Sequence, residues 1–205
     1  MSNKRYSFDA LTSYLPEGSF DLVMPLITDH KVHLFITKER QTKLGDFRHA
    51  HSGKNHRISV NGNLNKYAFL ITLIHELAHL LAYDRYGHRI QPHGKEWKYT
   101  YSQELLPFLQ PSVFPQDISA ELLKMLHNPA ASSSAEDELQ RVLRRYDEAR
   151  HGFYTVEELH EGVVFKLADG RSFVRGEQLR KRIKCIQVPG NKVYLFHPLY
   201  EVQIA

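Results

Sequence analysis

The residues with the clearest capacity for chemistry are three ionisable side chains in one apolar segment, His75-Glu76-Leu77-Ala78-His79. If the segment is helical, His75 and His79 lie about one turn apart on the same face. Two imidazoles at that spacing can share one tetrahedral zinc ion, and Glu76 beside them suits a general base acting on water at the metal. The pattern H-E-x-x-H therefore predicts a catalytic zinc site.

The surroundings of the motif favour this interpretation over coincidence. The three side chains interrupt the most apolar stretch of the chain, LITLIHELAHLLAY, where burial without partners would be costly. The alternative is a pair of buried histidines that are hydrogen-bonded to backbone or to a carboxylate. A metal ion at this position accounts for all three groups together.

A catalytic zinc ion usually has three protein ligands, so a third ligand must come from outside the motif. We favour His93, which follows His79 by 14 residues, because Pro92 restricts the approach of the chain and Gly94 allows it to turn into the next helix. The competing ligands are His88, Asp84 and Glu96. The prediction is one zinc ion per chain, bound by His75, His79 and His93.

The elements that must position these residues belong to an α+β arrangement. Two short helices are predicted in the first thirty residues, and KVHLFITKE, TKLGDFRHA and HRISVNG are predicted to form a three-stranded antiparallel sheet. The motif helix is predicted over 65–83, with Asn65 as its N-cap and a broad apolar stripe. Further helices are predicted from Gly94 to Pro107 and over 116–127.

The character of the chain changes after residue 128. NPAASSS indicates a linker and AEDELQRVLRRYDEAR a charged helix, whereas GVVFKLADGRSFV and IKCIQVPGNKVYLF each indicate two strands joined by a turn. The predicted organisation is therefore a metal-binding domain over 1–128, a linker and charged helix over 129–150, and a small β-rich domain over 151–205.

Several segments together resemble one known family. HELAH, the following Tyr86-Gly87-His88 and the segment PHGKEW at 92–97 are similar to the SprT family, the bacterial relatives of Spartan proteases. KLGDF at 43–47 and ISVN at 58–61 are similar to the segments before the motif helix in that family. The resemblance covers about residues 5–125. It implies a zincin-like fold, one zinc ion on the three histidines, Glu76 as the catalytic residue, and substrates that are proteins bound or crosslinked to DNA.

The carboxyl-terminal part departs from this family. SprT proteins commonly end in a zinc ribbon with two C-x-x-C knuckles, and here the segments 173–177 and 185–190 resemble parts of such a ribbon. The expected cysteine positions are occupied by Lys166, Asp169 and Val188, and only Cys185 remains. Because one thiolate cannot hold a structural zinc ion, we predict a degenerate ribbon without metal, with Cys185 as a small core residue.

The composition and the charge of the chain limit the classes of partner that it can have. With 24% charged residues, no apolar run of about 20 residues and no apolar region after the first residues, the sequence predicts a cytoplasmic protein without a membrane span. The formal net charge is +4.

A basic cluster in the second half of the chain is opposed within its span only by Glu177. It predicts contact with DNA phosphates, with Phe173 as a stacking surface. The alternative is that these charges form a solvated face of a small sheet. The cluster comprises Arg171, Arg175, Arg180, Lys181, Arg182 and Lys184.

The leading functional hypothesis is a zinc metallopeptidase acting on a protein or peptide. Tyr83, Tyr86 and His88 are candidates, by location, for stabilising the oxyanion. Two other classes stay open: a nucleic-acid-associated binding protein with a non-catalytic zinc site, and a zinc hydrolase of non-peptide substrates. An intact Glu76 disfavours the first of these, because a structural zinc site does not need a base.

Overall fold

Residues 8–40, 42–50, 55–109, 113–127 and 132–204 are described by a computed structural model of the protein. The chain divides into two compact units, residues 1–147 and 148–205. Each unit has its own buried apolar cluster. Among the described helices, none combines the length and the apolar character that crossing a bilayer requires.

The first unit combines helices with a small sheet, so the predicted α+β class is confirmed. Its helices and strands follow one another as α1 (Phe8–Leu11), a 3-10 turn (Thr12–Tyr14), α2 (Phe20–Asp29), β1 (His33–Thr37), β2 (Gly45–Arg48), β3 (Arg57–Asn61), α3 (Lys66–Tyr86), α4 (Lys95–Leu105), a 3-10 turn (Leu106–Phe108), α5 (Gln116–His127) and α6 (Ser132–Arg144).

The sheet of the first unit is mixed, and the prediction of a purely antiparallel sheet is wrong. The strand order is β1-β3-β2: β3 lies in the centre, parallel to β1 and antiparallel to β2. Ile58 and Val60 on β3 are fully buried, which explains why this strand takes the central position. The apolar alternation of a short strand shows which face is buried, and it does not show the direction of its neighbour.

Helix α3 runs through the core of the first unit. Asn65 caps it as predicted, since its side-chain oxygen accepts a hydrogen bond from the Ala68 N–H at 2.9 Å. The helix extends three residues beyond the predicted end at Tyr83 and stops at Gly87, whose φ is 79°. Apolar residues are buried along nearly its whole circumference, as expected of a helix that is covered on all sides.

The charged helix predicted after the linker forms as α6 and belongs to the first unit. Leu139 and Val142 are buried in the core cluster of that unit. The Asn65 side chain also donates to the Leu143 carbonyl at 3.0 Å and to the Asp147 carboxylate at 2.6 Å, which ties the start of α3 to the end of this segment. Of the predicted linker, residues 128–131 lie outside the described residues, and 132–134 are part of α6.

The second unit is a six-stranded antiparallel sheet, and both predicted turns are present. The Asp169-Gly170 turn joins β5 to β6, with Gly170 at a φ of 87°, and residues 189–191 lie between β7 and β8. The strand order is β4-β9-β5-β6-β7-β8. The strands are β4 (Phe153–Thr155), β5 (Val164–Lys166), β6 (Ser172–Gln178), β7 (Ile183–Val188), β8 (Val193–Phe196) and β9 (Glu201–Ile204).

The core of the second unit corrects one prediction and confirms another. Phe173 is fully buried between the rings of Phe165 and Phe196, at centroid distances of 5.7 and 5.0 Å, so its prediction as a stacking surface is wrong. Cys185 is fully buried in the same cluster, as predicted. Burial raises the pKa of its thiol, which disfavours the thiolate that a metal would need.

We expect the replacement Cys185→Ser to leave the zinc content of the full chain unchanged. Within the described ranges, the one group of three or more converging metal-ligand side chains lies in the first unit. Metal analysis of the purified variant checks this, and release of zinc by the substitution would contradict a metal-free second unit. The expected cost is confined to stability, because a hydroxyl replaces a buried thiol.

Candidate metal centre

Three imidazoles converge at one point on the surface of α3. His75 and His79 project from the helix, and His93 reaches them from the loop between α3 and α4. The Nε2 atom of His93 lies 3.0 Å from that of His75 and 3.0 Å from that of His79, and the latter two lie 3.3 Å apart. Tetrahedral zinc with bonds of ~2.0–2.1 Å separates its nitrogen ligands by about 3.3–3.4 Å. The spacing is therefore close to that of a zinc donor set.

The protonation of the cluster suits a bound cation. Burial, followed by the neighbouring imidazoles, lowers the pKa of His75 to about 3 and that of His79 to about 4. Both rings are thus neutral near pH 7, which is the form that binds metals. Each Nε2 of a neutral imidazole either donates or accepts, so the three mutual Nε2 contacts cannot all be hydrogen bonds at once, whereas a shared cation would accept all three lone pairs. The residues present fit a zinc ion on this ground.

His93 reaches the cluster through an unusual backbone conformation. Its φ is 59°, in the left-handed region, where a side chain costs about 1–2 kcal/mol. The predicted turning residue, Gly94, instead has a φ of −70° at the N-cap position of α4, and its N–H donates to the Gln91 carbonyl at 2.9 Å. The turn thus falls on His93 itself, one residue earlier than the sequence indicated.

The competing ligands make other contacts. The carboxylate of Asp84 lies 3.3 Å from Nδ1 of His30 and 3.9 Å from Nε2 of His56. Glu96 approaches the Lys95 ammonium at 3.8 Å, and His88 is exposed. The structure therefore brings together the three histidines that the sequence favoured and leaves the alternatives elsewhere.

An aromatic pair underlies the three imidazoles, and it is not among the residues that the sequence predicted for the site. The Trp97 ring lies 4.6, 5.1 and 4.7 Å from the rings of His75, His79 and His93, and it stacks on Tyr101 at 5.0 Å. Both aromatic side chains are buried, on one face of α4. Their i, i+4 spacing directly after His93 was the available signal. This packing restricts the orientations of all three ligand candidates.

Glu76 is a buried carboxyl whose affinity for protons is raised. Burial, and next the nearby charge of Asp46, raise its pKa to about 7, whereas Arg40, Lys43 and a hydrogen bond from the Phe47 N–H act in the opposite direction. A carboxyl that titrates near neutral pH can both accept and return a proton under physiological conditions. This behaviour matches the predicted role of the residue as a general base.

A polar network fixes the segment that faces Glu76. Arg40 donates from Nε to Oδ1 of Asn61 at 2.8 Å and from Nη1 to the Ser59 hydroxyl at 3.0 Å. The buried Asn61 amide donates in turn to the carbonyls of Arg40 and Lys43, at 3.2 and 3.1 Å. The chain before β2 is therefore held against β3. This network was not anticipated, because its members come from β3 and from the loop before β2, which are distant in the chain.

The three candidates for oxyanion stabilisation lie at different places. The Tyr83 ring packs on His49, at a centroid distance of 3.8 Å. Tyr86 and His88 are exposed. Their predicted role stays a prediction.

Comparison with known proteins is consistent with the residues of this site. Residues 18–104, which include α3 and most of α4 and make up less than half of the chain, match the SprT-like family. Proteins named Protein SprT are 50% identical over 42 residues in Yersinia pseudotuberculosis, 56% over 36 residues in Pectobacterium carotovorum and 59% over 27 residues in Pseudomonas fluorescens. These stretches cover 20%, 17% and 13% of this chain and 24%, 21% and 16% of those relatives. No solved structure matches the chain significantly.

Proposed function

We propose that the first unit, in which residues 18–104 match the SprT-like family, is a zinc-dependent metallopeptidase. The observation that carries the proposal is the convergence of three imidazole Nε2 atoms within 3.3 Å, with a buried carboxyl at the neighbouring position 76. His75, His79 and His93 would hold the metal. When bound there, zinc supplies a Lewis acid that polarises a peptide carbonyl and makes water acidic enough to be deprotonated near neutral pH.

In the proposed reaction, the role of the protein side chains beyond metal binding is the transfer of one proton by Glu76. As the water oxygen forms its bond to the carbonyl carbon, the carboxylate accepts a proton from that water. When the carbon–nitrogen bond breaks, the same proton passes to the leaving amine, so the carboxylate is regenerated. The N–H of Phe47 contributes by holding the carboxylate through a hydrogen bond.

The buried carboxyl also distinguishes this proposal from a structural metal site. A structural zinc site is closed by four protein ligands and has no use for a base. Within the described residues, the cluster offers three ligands. Cleavage of an unfolded protein by the zinc-loaded full chain is the direct test.

For the second unit we propose contact with DNA phosphates at the turn between β6 and β7. Three cations of the predicted cluster are offset by acids: Arg171 by Asp169 at 2.7 Å, Arg175 by Glu161 at 3.0 Å and Lys184 by Glu177 at 3.2 Å. The Arg175 side chain is also only 11% exposed. Arg180 and Arg182 are exposed on the turn. This turn is therefore the part of the cluster best suited to phosphates, and it favours substrates that are associated with DNA.

The double substitution Arg180→Glu and Arg182→Glu is expected to weaken DNA binding and to leave zinc content unchanged. The plot of log K for DNA binding against log salt concentration has a negative slope. If both side chains meet phosphates, the magnitude of that slope should fall by about 2 in the variant. Titrations of single- and double-stranded DNA at several salt concentrations measure this. Arg171→Glu is the control, because it reverses a cation of the same cluster outside the turn. Because this control changes the net charge by half as much, a loss half as large in Arg171→Glu would point to net charge alone.

A further inference from the structure

Strand β2 passes unusually close to the side chain of Glu76. A Cβ atom placed on Gly45, the first residue of β2, would lie 2.5 Å from Oε1, 2.7 Å from Cγ and 2.9 Å from Cδ of Glu76. These three atoms are the nearest that such a Cβ would meet. All three distances are below those that real Cβ contacts reach, so any side chain at position 45 would force a neighbour to move.

Strand β2 has little freedom to move away. Gly45 pairs with Val60, and the pairing continues through Asp46 and Phe47. The preceding segment is anchored to β3 by the Asn61 side chain and by the hydrogen bond of 2.9 Å from the Asn61 N–H to the Leu44 carbonyl. The side chain of Glu76 is therefore the group that would have to yield.

The absence of a side chain at position 45 is not explained by backbone conformation. The φ of Gly45 lies outside the positive region that favours glycine, so alanine can adopt the same conformation. At a position whose conformation alanine can adopt, glycine lowers the stability of the fold by about 0.4–1 kcal/mol relative to alanine. The contact with Glu76 is the feature of this site that requires glycine.

We propose that Gly45 is a positioning residue for Glu76: the missing side chain leaves the space in which the carboxylate sits, within reach of the Phe47 N–H. Position 45 thereby fixes where the base is held relative to the three histidines, two of which lie on the same helix as Glu76. The functional part of this inference rests on the proposed peptidase activity. The contact itself does not, and it can be tested by stability alone.

A double-mutant cycle of thermal unfolding of the full chain tests the contact. In the wild-type background, Gly45→Ala is expected to lower the Tm of the first unit by about 4 to 10 °C, as overpacking does. In a Glu76→Ala background the clashing atoms are gone, and the same change should leave the Tm unchanged or raise it. In a Glu76→Gln background, which keeps the shape of the side chain, the loss should return. If Gly45→Ala does not fold, recovery of folding by Glu76→Ala supports the contact.

A matched control is available in the second unit. A Cβ on Gly176 would lie 2.8 Å from the Lys184 carbonyl oxygen, so Gly176→Ala also introduces a close contact in a strand, at a place without Glu76. Its effect should be the same whatever residue occupies position 76. If the effect of Gly45→Ala were likewise independent of position 76, the proposed contact would be wrong.

The positioning role has a separate readout. The Gly45→Ala variant is expected to keep its full zinc content, because no ligand is changed, and to lose about 100-fold in kcat with little change in KM, as displacement of a catalytic group by about 1 Å does. Full kcat in a zinc-loaded variant with a lowered Tm would overturn the role in positioning. An inactive wild-type chain would count against the peptidase, and the stability cycle would still decide the contact.

Discussion

Replacing Glu76 by glutamine is expected to abolish cleavage of an unfolded protein while zinc remains bound. The amide keeps the shape of the side chain and cannot accept the proton of the attacking water. Loss of a general base typically costs 10²–10⁴-fold in rate, so we expect kcat to fall by about that factor. Metal analysis and a cleavage assay on the same preparation check both halves of the prediction.

Glu104 provides a matched control for this substitution. It is a glutamate on the neighbouring helix α4, and burial raises its pKa as it does that of Glu76. Glu104→Gln therefore removes a carboxyl of similar character at another position, and activity should persist. Undiminished cleavage by Glu76→Gln would exclude the residue as the base, whereas equal losses in both variants would indicate a general effect on the fold.

The features that could be predicted from the sequence are those that local patterns determine. The N-cap at Asn65 and the turn at Asp169-Gly170 depend on residues close together in the chain, and both are present. The juxtaposition of His75 and His79 follows from helical spacing alone. The assignment of His93 could not rest on helical spacing, because His93 lies outside α3. Few residues lie between the end of α3 and the start of α4, however, and this short connection limits where the His93 side chain can reach.

The features that the sequence did not show depend on partners that are distant in the chain. The parallel pairing of β1 with β3 inserts β3 between two strands that precede it. Neighbouring residues Phe173 and Val174 are both apolar, so the alternation on β6 left open which one faces the core. Arg175 was assigned to an open basic cluster because Glu161, its partner, lies 14 residues upstream on another segment. The approach of Gly45 to Glu76 is likewise a tertiary contact.

Replacing His93 by alanine is expected to remove zinc from the chain. Two ligands on α3 would remain, and the loss of a direct ligand should exceed the ~10–100-fold loss of affinity that follows removal of an outer-shell partner. His88→Ala is the control, since His88 lies in the same loop and is exposed. Zinc stoichiometry and competition with a chelator measure both variants. Retention of zinc without His93, together with its loss without His88, would reverse the assignment of the third ligand.

The backbone at His93 allows the ligand role to be separated from a structural one. Because its φ is 59°, His93→Gly should relieve a strain that His93→Ala keeps, and in zinc-free protein the glycine variant should be the more stable by about 1 kcal/mol. Both variants should nevertheless lose zinc equally, since neither supplies an imidazole. Chemical unfolding of the zinc-free proteins gives the first comparison and metal analysis the second. If the glycine variant kept its zinc while the alanine variant lost it, backbone geometry would be what holds the site, and His93 would not be a ligand.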